Sequence, residues 1–92
     1  MGTLAAFPLP TQPPRLETLS PEALRRADDT AKAAMRVVGR VRRMADNNST
    51  TLTLDLASII AEAARALCDY DRGFQPNEFA AMKLANWLEA HP

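Results

Sequence analysis

Cysteine occurs once in these 92 residues, at Cys68, and histidine once, at His91. A single thiol excludes an intrachain disulfide, and one cysteine with one histidine excludes the clusters that hold structural zinc. Glycine is scarce, with 3 residues, and none lies in a phosphate-cradling loop. No stretch reaches the roughly 18 consecutive apolar residues of a membrane span. The opening MGTLAAFPLP lacks a basic segment and is broken by proline before an apolar core of signal-peptide length. The chain therefore reads as cytoplasmic with no membrane partner, which suits a lone thiol. An excess of one charge is missing too. The 11 basic side chains balance 11 acidic ones, which argues against a strongly basic nucleic-acid binder.

Catalytic groupings are equally sparse. Ser58 precedes Glu62 by one helical turn and Cys68 lies two residues before Tyr70, yet neither nucleophile has a histidine nearby in sequence. Asp69, Asp71 and Gly73 imitate the start of a calcium loop, but the glycine falls one place early and Ala80 stands where the closing glutamate belongs. A helix-turn-helix reading around Gly73 founders on the next helix, whose N-terminal half offers only Gln75, Asn77 and Lys83 beside Glu78. The expectation is a non-enzyme with no catalytic residue, no cofactor and no metal.

What the chain does have is helix. From Leu52 to Tyr70, LTLDLASIIAEAARALCDY, apolar residues cover half the circumference or more at 100° per residue. The polar remainder, Asp55, Ser58, Glu62, Arg65, Asp69 and Arg72, forms a narrow strip with opposite charges at helical-neighbour spacing, Glu62 with Arg65 among them. An apolar arc this wide needs cover on more than one side. Cys68 lies on that arc and reads as an inert core thiol.

Before this helix, Ser20 and Pro21 have the form of an N-cap and first helical residue, and Glu22 faces the positive end of the dipole. Leu24, Ala27, Ala31, Ala34, Val38, Val41 and Ala45 then recur at spacings of 3 and 4, a seam of small residues that lets a neighbouring helix approach closely. Gly39 either permits close contact or marks a bend. Behind the seam runs a stripe that turns wholly basic, with Arg36, Arg40 and Arg43, and Arg42 beside it. It reads first as a solvated face complementing the helix C-terminus, then as a protein contact, and last as a phosphate grip.

The segment 46–51, DNNSTT, is the turn between two antiparallel helices, with Ser49, Thr50 or Thr51 capping the second. Gly73 is placed to end that helix. Pro76 then opens a third helix to about Ala90, with Phe79, Met82 and Trp87 off its apolar side. Residues 1–19, with Pro8, Pro10, Pro13 and Pro14, form an extended arm. Its Leu4, Phe7, Leu9 and Leu16 are available to lie across the helices. Pro10, Pro13 and Arg15 also match the PxxPxR spacing of polyproline ligands, a cheap coincidence in proline-rich sequence.

The resulting expectation is an all-α fold: an antiparallel helical hairpin plus a short third helix, dimerising into a four-helix-type bundle. Residues 20–92 form one domain, with helices at about 20–46, 51–71 and 76–90. A core drawn from so few residues is thin, and association is the remaining way to thicken it. Core or self-association residues are Ala27, Ala31, Ala34, Val38, Val41, Leu56, Ile59, Ile60 and Leu67. Candidate partner contacts are Arg36, Arg40, Arg43, Phe79 and Trp87. The function expected is a protein–protein interaction module of adaptor, inhibitor or assembly type, with a second copy and another protein as partners. The alternative is a small dimeric nucleic-acid-binding regulator gripping with Arg36, Arg40, Arg42 and Arg43.

Overall fold

The computed structural model describes residues 13–47 and 52–92, and the chain is all-α. Helix α1 spans Pro21–Asp46, α2 Leu54–Asp71 and α3 Glu78–Ala90. Each begins on a side-chain cap that satisfies one of the orphan amides of the first turn. The Ser20 hydroxyl accepts from the Ala23 N–H at 3.2 Å, the Thr53 hydroxyl from Leu56 at 3.1 Å, and the Asn77 amide oxygen from Phe79 at 2.8 Å. The cap of α2 is thus Thr53; residues 49 to 51, expected to provide it, lie outside the described residues. Pro76 is buried just ahead of α3 and does not open it.

The three helices pack pairwise around one core of Ala34, Val37, Leu56, Ile59, Ala63, Ala66 and Leu84. Near the start of α1, Asp28 accepts a 2.9 Å hydrogen bond from the hydroxyl of Tyr70, near the end of α2. Helix α3 touches both. Glu78 meets Arg26 of α1 at 3.9 Å, and Lys83 meets Glu62 of α2 at 3.4 Å. At the far end the Arg40 guanidinium donates to the His91 carbonyl.

The position of α3 decides which residues are inside. Ala27, Ala31 and Ala34 are buried as the seam requires, but Val37 is fully buried while Val38 is 46% exposed and Leu24 stands out as well. A single facing helix would centre the buried arc of α1 on Val38. Because α3 takes the flank that carries Thr30 and Ala33, the arc rotates toward Val37. The same shift operates on α2, where α3 lies beside Ser58, Ile59 and Glu62. Ile59 is 6% exposed, whereas Ile60 is 36% exposed. Cys68 is exposed, contrary to its reading as a core thiol. The ion pair of Glu62 goes to Lys83 across the helix interface.

Only the inner end of the arm, from Pro13, is described. It straps the α2–α3 turn: Arg15 and Phe74 form an antiparallel bridge, Leu16 donates to the Gly73 carbonyl and Gln75 to the Pro14 carbonyl, both at 2.8 Å. Gly73 adopts φ 87°, the left-handed conformation that ends α2 and presents its carbonyl to the strap. Arg15 and Arg72 both lie over the Phe74 ring, at 5.5 and 5.8 Å. The arginine of the PxxPxR match is therefore engaged within the chain, while Pro10, Leu4, Phe7 and Leu9 lie outside the described residues.

Candidate functional site

The most informative feature is the inversion of apolar residues between inside and outside. Among the described residues, six of the ten buried hydrophobic residues are alanines, and Val37, Leu56, Ile59 and Leu84 are larger. A buried methyl stabilises by about 0.8 kcal/mol, a full branched side chain by about 1.5–3 kcal/mol. Outside, eight large apolar side chains among the described residues are exposed: Leu24, Met35, Val38, Leu52, Leu54, Ile60, Phe79 and Met82. Single exposed leucines need no explanation. Here the large exposed residues stand around a core that holds four large buried ones, with Val41, Leu67, Trp87 and Leu88 half-buried on it, and all but Leu52 and Leu54 fall into two groups.

One group lies on α1 and α2, on the flank turned away from α3. Taking Ala34 as the origin at 100° per residue, Val38, Leu24 and Met35 fall between 40° and 100° on one side, while Thr30, Val37 and Ala33 fall on the other, toward α3. On α2, Ala57, Ile60, Ala61, Ala64 and Cys68 share the corresponding outer arc, and all are exposed. The spacing that signals an amphipathic helix placed these residues on the apolar arc; it did not reveal which half α3 would leave bare. A second, smaller group is Phe79 and Met82, on the outer side of α3.

The residues singled out from sequence divide accordingly. Ala27, Ala31, Ala34, Leu56 and Ile59 are buried within the chain, and Val41 and Leu67 pack half-buried against the core, whereas Val38 and Ile60 stand at its surface. Trp87 packs half-buried on the core and stacks with His91, the ring centroids 4.2 Å apart, so the penultimate residue is held in place. Phe79 is 75% exposed. Of the basic stripe, Arg36, Arg42 and Arg43 are exposed, but Arg40 is half-buried and turned to the His91 carbonyl. The Arg40 Nε is a buried side-chain polar atom without a hydrogen-bond partner.

Polar clusters are local. Lys32 lies 3.1 Å from Asp28, one turn away. The hydrogen bond from Lys32, and then that from Tyr70, hold the Asp28 carboxyl below its usual value, while Asp28 in turn pushes Lys32 and Tyr70 above theirs. An open groove of about 620 Å³ runs between α2 and α3, lined by Asp55, Ser58, Glu62, Lys83, Trp87 and His91 among others. Ser58 and His91 line it together, and the His91 ring nitrogen Nδ1 faces the Trp87 carbonyl at 2.9 Å. Among the described residues no group of three or more His, Cys, Asp or Glu side chains is arranged to hold a metal, and no helix is long and apolar enough to cross a membrane.

The chain matches no protein-family model, and comparisons with curated proteins and with solved structures give no match.

Proposed function

We propose that this chain is a non-enzymatic protein-contact module. It works as an antiparallel helical hairpin braced on one side by α3, dimerises, and uses its apolar helical faces in an adaptor, inhibitor or assembly role. A single observation carries this reading: large apolar side chains, Met35, Val38, Ile60, Phe79 and Met82 among them, stand exposed around a core whose fully buried residues are mostly alanines. Hydrophobic surface grouped in this way marks a face built to be covered. The two groups, one on α1 and α2 and one on α3, give the module two sides.

The nucleic-acid alternative is weaker because Arg40 turns inward to the His91 carbonyl, which leaves Arg36, Arg42 and Arg43 to grip phosphates. Photocrosslinking groups placed in the full chain at Met35 and Phe79, used in native cells, test the choice. Discrete protein adducts that unlabelled chain competes away are the expected result. No protein adduct at either site, together with salt-sensitive DNA retention lost in Arg36→Ala/Arg43→Ala, would overturn the proposal in favour of the alternative.

A further inference from the structure

We infer that the bare flank of α1 and α2 is a self-complementary interface, covered by a second copy of this chain with α1 laid antiparallel over the second copy's α2. The inference rests on the contact-module reading and commits it to one occupant for one face.

Met35 and Val38 on α1, with Arg42 between them on the helical wheel, and Ala57, Ile60, Ala61 and Ala64 on α2 are exposed on the flank away from α3, and the α2 steps of 3, 1 and 3 residues keep that stripe on one side of its helix. Alanines between the larger side chains let two helical layers approach closely, with the large side chains of one filling the gaps of the other. Its size is adequate. The 18 residues of α2 make a rod about 27 Å long, and two helices side by side are about 20 Å wide. Once corrugation is counted, such a footprint reaches the low end of what specific interfaces bury per partner, about 600–1,000 Å².

Charge selects the pairing. Helix α1 carries seven basic and four acidic side chains, α2 one basic and four acidic, so they bear +3 and −3. A twofold axis parallel to the helices sets each α1 over the second copy's α2, so that every neighbour in the four-helix ring is of opposite sign. The other twofold arrangement sets α1 on α1 and α2 on α2, like against like. Height agrees with the first. Asp28 is bonded to Tyr70 within one chain. Ten residues forward along α1 and ten back along α2, about 15 Å each way, bring Val38 level with Ile60. An axis parallel to the helices preserves height, so Val38 of each copy lands on Ile60 of the other.

Two measurements on the full chain test this. Light scattering at about 100 μM should give twice the 10.1 kDa chain mass. Ile60→Asp, whose charge the dimer would cover fully at a side chain 36% exposed in the single chain, should raise the dissociation constant at least about 100-fold. Met35→Lys serves as a second variant at a more exposed position. In a Cys68→Ser background, mixing Val38→Cys chains with Ile60→Cys chains should yield the mixed disulfide on mild oxidation. A wild-type mass of one chain overturns the inference and with it the dimer of the proposed function, while Phe79 crosslinking to another protein would leave the protein-contact role standing. A Val38→Cys homodisulfide in place of the mixed one overturns the pairing.

Discussion

Ile59 and Ile60 are adjacent and chemically identical, yet the structure assigns them different work. Ile59, 6% exposed, touches the core between all three helices; Ile60, 36% exposed, lies on the bare flank. Truncating Ile59 to alanine removes three buried carbons and leaves a cavity, at a cost of about 2–4 kcal/mol. A core this thin supplies only about 3–5 kcal/mol in total, so Ile59→Ala should be substantially unfolded at 25 °C, and Ile59→Val should lose about 1 kcal/mol. Ile60→Ala, at a side chain 36% exposed, should cost the single-chain fold less than Ile59→Ala does, about 1 kcal/mol. Urea titrations followed by circular dichroism at low micromolar concentration, where association contributes least, separate the two. With a slope near 1 kcal/mol per molar urea, Ile59→Val should lower the midpoint by about 1 M. Equal losses for Ile59→Ala and Ile60→Ala under those conditions would refute the rotation of the buried arc toward α3.

The two described glycines should respond oppositely to alanine. At Gly39 an added Cβ meets nothing within 4 Å and the helix runs through without interruption, so Gly39→Ala should stabilise by about 0.5–1 kcal/mol; at Gly73, held at φ 87°, it should destabilise by about 1 kcal/mol or more, read as thermal midpoints in opposite directions. Tyr70→Phe removes the bond to Asp28 and should cost about 1 kcal/mol in the same assay. Asp28 is held below its usual 3.8, so its contribution is present above that value and disappears as pH falls through the lower folded one; Tyr70 is held above 10.0, so its contribution is complete below pH 10 and disappears as pH rises further. Tyr70→Phe should therefore flatten the alkaline loss of stability seen in a urea series across pH, and an unchanged alkaline limb would count against the bond.

The helices were legible because their punctuation is local. Ser20 and Pro21 fix the start of α1, and Gly73 the end of α2, through backbone chemistry that a few residues determine. All-α architecture and the apolar arcs followed from periodicity alone. Which part of each arc is buried did not, because it depends on where α3 comes to rest. Val38 and Val37, Ile60 and Ile59, and the outward-facing Cys68 all trace to that one unknown. Glu62 likewise could have paired within its own helix, and its partnership with Lys83 requires α3 to be in place. The strap formed by Arg15 and Phe74 was hidden for a related reason: nothing in a proline-rich segment names the turn it will bridge. As for the candidate surface, its width was visible in the sequence of α2 and its exposed portion was not.

The dependence of the thermal midpoint on protein concentration bears most directly on the claim that the bare flank of α1 and α2 is covered by a second copy. Anything that binds only the folded chain stabilises it by mass action, so between about 5 and 500 μM the wild-type midpoint should rise by several degrees while that of Ile60→Asp stays level. A wild-type midpoint that stays level across the same range would contradict the claim.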